Sequence, residues 1–154
     1  MPRSFGSPAL DAGAGEEASL VLANDAADLR RLAGFVEEYA RRVALPDKVS
    51  FAIQLCLEEA ISNVIRHGAA AGAATRIVAT LRRDGSEVTL CVEDDGAPFN
   101  PTLVAPPALA VSLDDVKIGG LGVHLMREFS SRMCYERTAD TNRLHLAFCL
   151  APQP

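Results

Sequence analysis

The chain has 154 residues, of which 49% are apolar and 23% charged, a balance suited to one domain with a buried core. A formal charge of −5, with no arginine-rich arm to offset it, excludes the basic face that nucleic acid requires. No run of about eighteen apolar residues occurs, and the opening MPRSFGSPALDAGAGEE lacks a signal-peptide core, so the expectation is a soluble, cytoplasmic protein with no membrane partner.

Residues 1–17, rich in Gly, Ala, Ser and Pro and without periodicity, read as a flexible leader to a single domain spanning 18–150. SLVLA (19–23) is a short strand. Asn24 or Asp25 then caps a helix reaching about Val43, with Leu29, Leu32, Phe35, Val36 and Tyr39 as its apolar stripe. After Leu45-Pro46-Asp47 a second helix runs from Pro46 to His67 and stops at Gly68. TRIVATLRR and SEVTLCVED alternate as strands around a tight turn at Asp84-Gly85. From Gly96 to Ile118 prolines and glycines interrupt any period, which predicts a long loop acting as a lid. A helix over Gly122 to Arg132 follows, then MCYERT and RLHLAFCL, joined around Ala139-Asp140-Thr141-Asn142. Cys56, Cys91, Cys134 and Cys149 fall in apolar patterns with no CxxC pair and are expected as reduced core thiols. This order predicts an α/β two-layer sandwich: a mixed, mostly antiparallel sheet with helices on one face.

Three stretches carry chemistry. In LEEAISNVIRHG (57–68), Ile53, Leu57, Ala60, Ile61 and Val64 form the apolar stripe, while Glu59 and Asn63 lie roughly 40° apart along its edge and Glu58 points elsewhere. A carboxylate beside an amide oxygen can hold a hydrated Mg²⁺ and position a nucleophile. The same pair also suits an ordinary solvated helix edge. In VEDDGAPFN (92–100), strand alternation aims Asp94 toward the helices with Val88, Leu90 and Val92, and leaves Asp95 to solvent. Asp94 can accept a hydrogen bond from an exocyclic amine such as adenine's, and Gly96 lets a flat ring approach; alone, DDG is also a plain turn signal. In KIGGLGVHLMREF (117–129), Gly119, Gly120 and Gly122 lead into a helix whose free N–H groups suit phosphate, at a spacing that matches neither a P-loop nor a Rossmann fingerprint.

Together and in this order, EEAISN, DDG and GGLG resemble the N box and the two glycine boxes of the GHKL (Bergerat) ATP-binding fold. EEAISNVIRHG, VEDDGAPFNP, GGLGVHLMREFSSRMCYER and TNRLHLAF further resemble the anti-sigma factor serine/threonine-protein kinases of bacterial partner-switching systems. The resemblance covers about residues 18–150. It implies Asn63 as the Mg²⁺ ligand, Glu59 as general base toward a serine hydroxyl, Asp94 and Gly96 in the adenine pocket, and Gly119, Gly120 and Gly122 around the phosphates. Two departures bear on the lid and the phosphate contacts: Asn100 replaces the aspartate of the family's PFDP, and His124 stands where some members carry threonine.

Residues 1–17 are too short for a phosphoacceptor hairpin and nothing follows Pro154 to serve as a transducer, so the expectation is a stand-alone module acting on another protein. The resemblance implies an ATP-dependent kinase that phosphorylates an anti-sigma factor antagonist and regulates a sigma factor. ATP and ADP, the antagonist and a sigma factor are the implied partners. The alternative is a nucleotide-gated partner-binding module with little phosphate transfer; retention of Glu59 beside Asn63 favours the enzyme. SLVLA, as a sheet edge, offers a pairing surface for a homodimer.

Overall fold

The computed structural model describes residues 16–68, 76–105 and 120–151. In chain order the elements are β1 (Glu17–Leu22), α1 (Ala26–Leu29), α2 (Arg31–Arg42), α3 (Asp47–Gly68), β2 (Ile77–Asp84), β3 (Glu87–Asp94), α4 (Gly120–Phe129), β4 (Arg132–Thr138) and β5 (Thr141–Cys149), with a single 3₁₀ turn at Pro101–Leu103. The strands form one five-stranded sheet in the order β1-β2-β3-β5-β4. Every neighbouring pair is antiparallel, so the sheet is simpler than the mixed one expected.

Strand alternation gives the sheet one buried face, from Ile77, Ala79 and Leu81 through Val88, Leu90 and Val92 to Leu144, Leu146 and Phe148. The central helix α3 lies over β3 and β5, flanked by α2 on one side and α4 on the other. Its stripe Ile53, Leu57, Ala60 and Ile61 is buried at the i, i+4, i+7, i+8 spacing of a helix packed on a sheet. Ile53, Leu57 and Ile61 each contribute about 1.5–3 kcal/mol of transfer free energy. Asp47 in the first turn and Arg66 in the last complement the helix dipole.

Several boundaries differ from those read in the sequence. The predicted first helix is two pieces, because Asp25 caps Ala27 N–H and the Asp28 carboxylate folds back to accept from Ala23 N–H at 2.7 Å, and the helix restarts at Arg31. The leader ends earlier than residue 17. Glu16 O already accepts from Tyr39 Oη at 2.6 Å and from Arg83 N–H at 3.0 Å. The first hairpin turns on Gly85-Ser86 rather than Asp84-Gly85, since Asp84 and Glu87 are the last paired residues and Gly85 holds φ 58°. The predicted helix over 122–132 starts and ends earlier, and Arg132 already belongs to β4. The second hairpin turns on Ala139-Asp140, which moves Thr141 and Asn142 into β5.

All four thiols are free, but only Cys56 is a core residue. Cys91, Cys134 and Cys149 are half-buried on the opposite face of the sheet, where the ion pairs Arg132–Glu87 and Arg143–Glu93 also lie. Burial, with Glu59 nearby, pushes the Cys56 thiol up to about 12. Most of the predicted lid, residues 106–119, lies outside the described residues, as do residues 1–15 of the predicted leader and residues 69–75.

Gly85 and Gly34 make a paired test of backbone conformation. Gly85→Ala places a Cβ in the left-handed region and should cost about 1–2 kcal/mol. Gly34→Ala, in α2 with nothing within 4 Å of the new methyl, should stabilise by about 0.5–1 kcal/mol. Urea denaturation midpoints shifting in opposite directions are the expected result.

Candidate functional site

Glu59 and Asn63 project from the same edge of α3, one turn apart. Glu58 is exposed and accepts from Gln54 Nε2 at 3.0 Å, on a different part of the helix surface. Asn63 is only 4% exposed, and its Nδ2 is buried with no hydrogen-bond partner. Leaving such a donor unpaired costs about 1–3 kcal/mol, and a half-turn of the amide exchanges donor for acceptor at the same place. Among the described residues nothing partners this end of the amide, and with the amide turned its oxygen fits a magnesium ion or that ion's water. Among the described residues no group of three His, Cys, Asp or Glu side chains could hold a metal. A metal here would rest on Asn63 and on oxygens of the nucleotide, the pattern usual for magnesium.

Asp94 ends β3, 8% exposed and facing the helices as the alternation predicts. Its Oδ1 accepts from Gly96 N–H at 2.9 Å and from Asn142 Nδ2 at 3.0 Å. Asn142 is the β5 residue paired with Asp94, and its Nδ2 also reaches Ala97 O at 2.9 Å. The Asn142 Oδ1 in turn accepts from Tyr135 Oη at 2.6 Å and Arg137 Nη1 at 2.8 Å. Arg137 also donates to Gly96 O at 3.1 Å, so both sides of the Gly96 turn are tied down. One carboxylate oxygen is thus committed to structure; among the described residues, nothing donates to the other. Asp95 is exposed and caps Arg76 N–H at 3.0 Å.

Asn142, Tyr135 and Arg137 were not among the predicted site residues. The signal was a polar side chain in phase with Leu144, Leu146 and Phe148, hidden by assigning Asn142 to the turn.

Asn63, Asp94, Asn142 and Tyr135 open onto a narrow cleft whose apolar walls include Ala60, Val64, Val92 and Leu144. At its mouth His67 and Phe99 stack, with ring centroids 3.7 Å apart and 9° between planes. Burial, and then Arg66, hold the His67 imidazole below its ordinary pKa, favouring the neutral ring. A narrow apolar slot with an unpaired carboxylate oxygen at its floor suits a flat heterocycle bearing an amine.

Glu59 does not line this cleft. It lies where α4 begins: a Cβ added to Gly122 would stand 2.2 Å from Glu59 Oε2. The bare Cα of Gly122 leaves room for the Glu59 carboxylate, whose flexible end a methyl group there would displace. Gly120 opens α4, which places the helix's free N–H groups beside Glu59, whereas Gly119 lies outside the described residues. Asn100 keeps the capping function of an aspartate, its Oδ1 accepting from Thr102 N–H at 2.9 Å and from Thr102 Oγ1 at 2.5 Å. Arg127 of α4 then clasps the same turn through Thr102 O at 3.1 Å and Val104 O at 2.7 Å. His124 is half-buried on α4.

The model of the histidine kinase-like ATPase domain matches residues 22–148, a span that holds the cleft, α3 and α4 together. The chain belongs to the histidine kinase-like ATPase family. It is 37% identical over 119 residues to the serine/threonine-protein kinase BtrW of Bordetella bronchiseptica, covering 77% of this chain and 84% of that one. The fold is also that of the crystal structure of the RsbU and RsbW domains of Rv1364c from Mycobacterium tuberculosis, at a TM-score of 0.62 and 15% identity. That likeness covers 87% of this chain and 32% of the larger protein. Among the described residues no helix of this ATPase domain is long and apolar enough to cross a membrane.

Calorimetry with adenine nucleotides should separate the neighbouring acids. Asp94→Asn is expected to weaken binding by about 1–3 kcal/mol through loss of the buried acceptor, and Asp95→Asn to do much less. Asn142→Ala, which frees Asp94 and orphans the Ala97 carbonyl, should lower both affinity and melting temperature.

Proposed function

We propose that the chain is a Mg·ATP-dependent protein kinase that phosphorylates a serine or threonine on an anti-sigma factor antagonist, and so controls a cytoplasmic sigma factor by partner switching. The observation that carries this reading is the Glu59 carboxylate set against Gly122 at the start of α4, one helical turn from the unpartnered Asn63 amide. The similarity to BtrW, a serine/threonine-protein kinase, supports the same reaction class.

The residues divide the work by position. Asp94 accepts from the adenine amine and the apolar walls of the cleft hold the ring. The Asn63 amide oxygen is offered to a magnesium ion, which when bound neutralises charge on the phosphates. The amino end of α4, with Gly120 and Gly122, offers N–H groups to those phosphates, a role proposed for Gly119 as well. Glu59 accepts the proton of the incoming hydroxyl as its oxygen bonds to the γ-phosphorus, and the bond to the bridging oxygen breaks to release ADP. Positioning and electrostatics of this kind are sufficient for phosphoryl transfer. β1, at the edge of the sheet, is the surface on which a homodimer would form.

Single-turnover transfer from labelled ATP to an anti-sigma factor antagonist tests the roles separately. Glu59→Ala should keep Mg·ATP affinity within a few fold while transfer falls about 10²–10⁴-fold, the usual range for a general base. Gly122→Ala, by displacing the Glu59 carboxylate, should act the same way with a wild-type melting temperature. Asn63→Ala should reduce the magnesium-dependent part of binding as well as transfer. Wild-type transfer by Glu59→Ala would end the kinase reading.

A further inference from the structure

The helical layer carries apolar surface that neither the core nor the nucleotide cleft uses. Phe51 on α3 is 61% exposed, and Leu121 and Phe129 on α4 are 47% and 41% exposed. The two phenyl rings meet edge to face, with centroids 6.0 Å apart and 69° between planes. They form one ridge where the amino end of α3 passes the carboxyl end of α4. Leu55, a turn beyond Phe51, and Leu125, midway between Leu121 and Phe129, continue it as half-buried neighbours.

Beside the ridge runs a shallow, open groove along the outer face of α3, with Ser50, Phe51, Gln54 and Leu55 in its floor. Glu37 forms the α2 wall, and Asp47 and Glu58 complete the lining, which contains no lysine or arginine. Among the described residues none of these acids has a cation within ion-pair distance. Uncompensated negative charge beside exposed aromatic rings asks for an occupant that brings both positive charge and apolar area.

We propose that this groove docks a basic amphipathic helix of a partner protein, its apolar side on the Phe51–Phe129 ridge and its Lys and Arg side chains toward Glu37, Asp47 and Glu58. A helix fits because the flanking walls are themselves helices and offer no free strand edge, the arrangement of helix-in-groove recognition. A second copy of this chain does not fit, since a two-fold contact would set the same acids against one another. Anionic lipid is repelled on the same ground. The inference is independent of the kinase reading.

The probe is a labelled synthetic helix of about five turns, with leucine at heptad core positions and lysine elsewhere, and its glutamate-for-lysine counterpart. Titration of the full chain by fluorescence anisotropy should show binding of the lysine peptide only, weakening with salt. Phe51→Ser should reduce affinity at least about tenfold, as truncation of an anchoring aromatic does. Glu37→Lys with Glu58→Lys should do the same and remove the salt dependence, both variants keeping wild-type nucleotide binding as proof of folding. Equal binding of the two peptides, or lysine-peptide affinity unchanged in these variants, overturns the proposal. Sedimentation showing that the wild type pairs with itself and that Phe51→Ser does not would assign the face to a second copy and overturn it equally.

Discussion

The hydrogen bond from Asn142 Nδ2 to Asp94 Oδ1 decides which carboxylate oxygen is left for a ligand. It joins the ends of two neighbouring strands, and through Gly96 and Ala97 it shapes the turn that closes the cleft. Antiparallel pairing of β3 with β5 brings the two residues opposite each other, so the sheet register itself is the device that sets the acceptor. Tyr135 and Arg137, from the edge strand β4, complete the knot by satisfying the other end of the amide. A carboxylate held from one side in this way keeps its orientation without a ligand, which lowers the cost of binding one.

On the opposing wall the logic is reversed. Asn63 carries a buried amide end that is unsatisfied among the described residues, and such groups are rare because they are costly. The two faces of the site thus differ: Asp94 is fixed by the sheet, while one end of the Asn63 amide is open. Glu59 lies at a third place, in the room left by the absence of a side chain at Gly122. The nucleotide, metal and proton-accepting roles proposed for the three residues therefore rest on three different local settings, and substitutions at each should be separable.

Much of this was legible in the sequence, for physical reasons that can be named. The apolar stripe of α3 has a strict helical period, so the shared edge of Glu59 and Asn63 followed from counting. Alternation along β3 gave the inward direction of Asp94 and the outward direction of Asp95. Asn142 escaped because the second hairpin turns on Ala139, a non-glycine residue at φ 54°, where sequence reading expects Gly or Asn and so draws a longer turn. The break between α1 and α2 has no Pro or Gly to announce it; it depends on the Asp28 carboxylate reaching back to Ala23 N–H. The cysteines were placed in the core on hydrophobicity, whereas alternation had already set Cys91 on the face with Thr89 and Glu93. The role of Gly122 required three dimensions, since Glu59 is remote from it in the chain.

The most direct test of the site is a calorimetric comparison of ATP with inosine triphosphate, which carries a carbonyl oxygen where adenine has its amine. A hydrogen bond to a buried carboxylate is worth about 1.5–3 kcal/mol, so the wild-type chain should prefer ATP by at least about tenfold, and Asp94→Asn should erase that preference. Equal affinity for the two nucleotides in the wild type, or a preference that survives Asp94→Asn, would contradict the account.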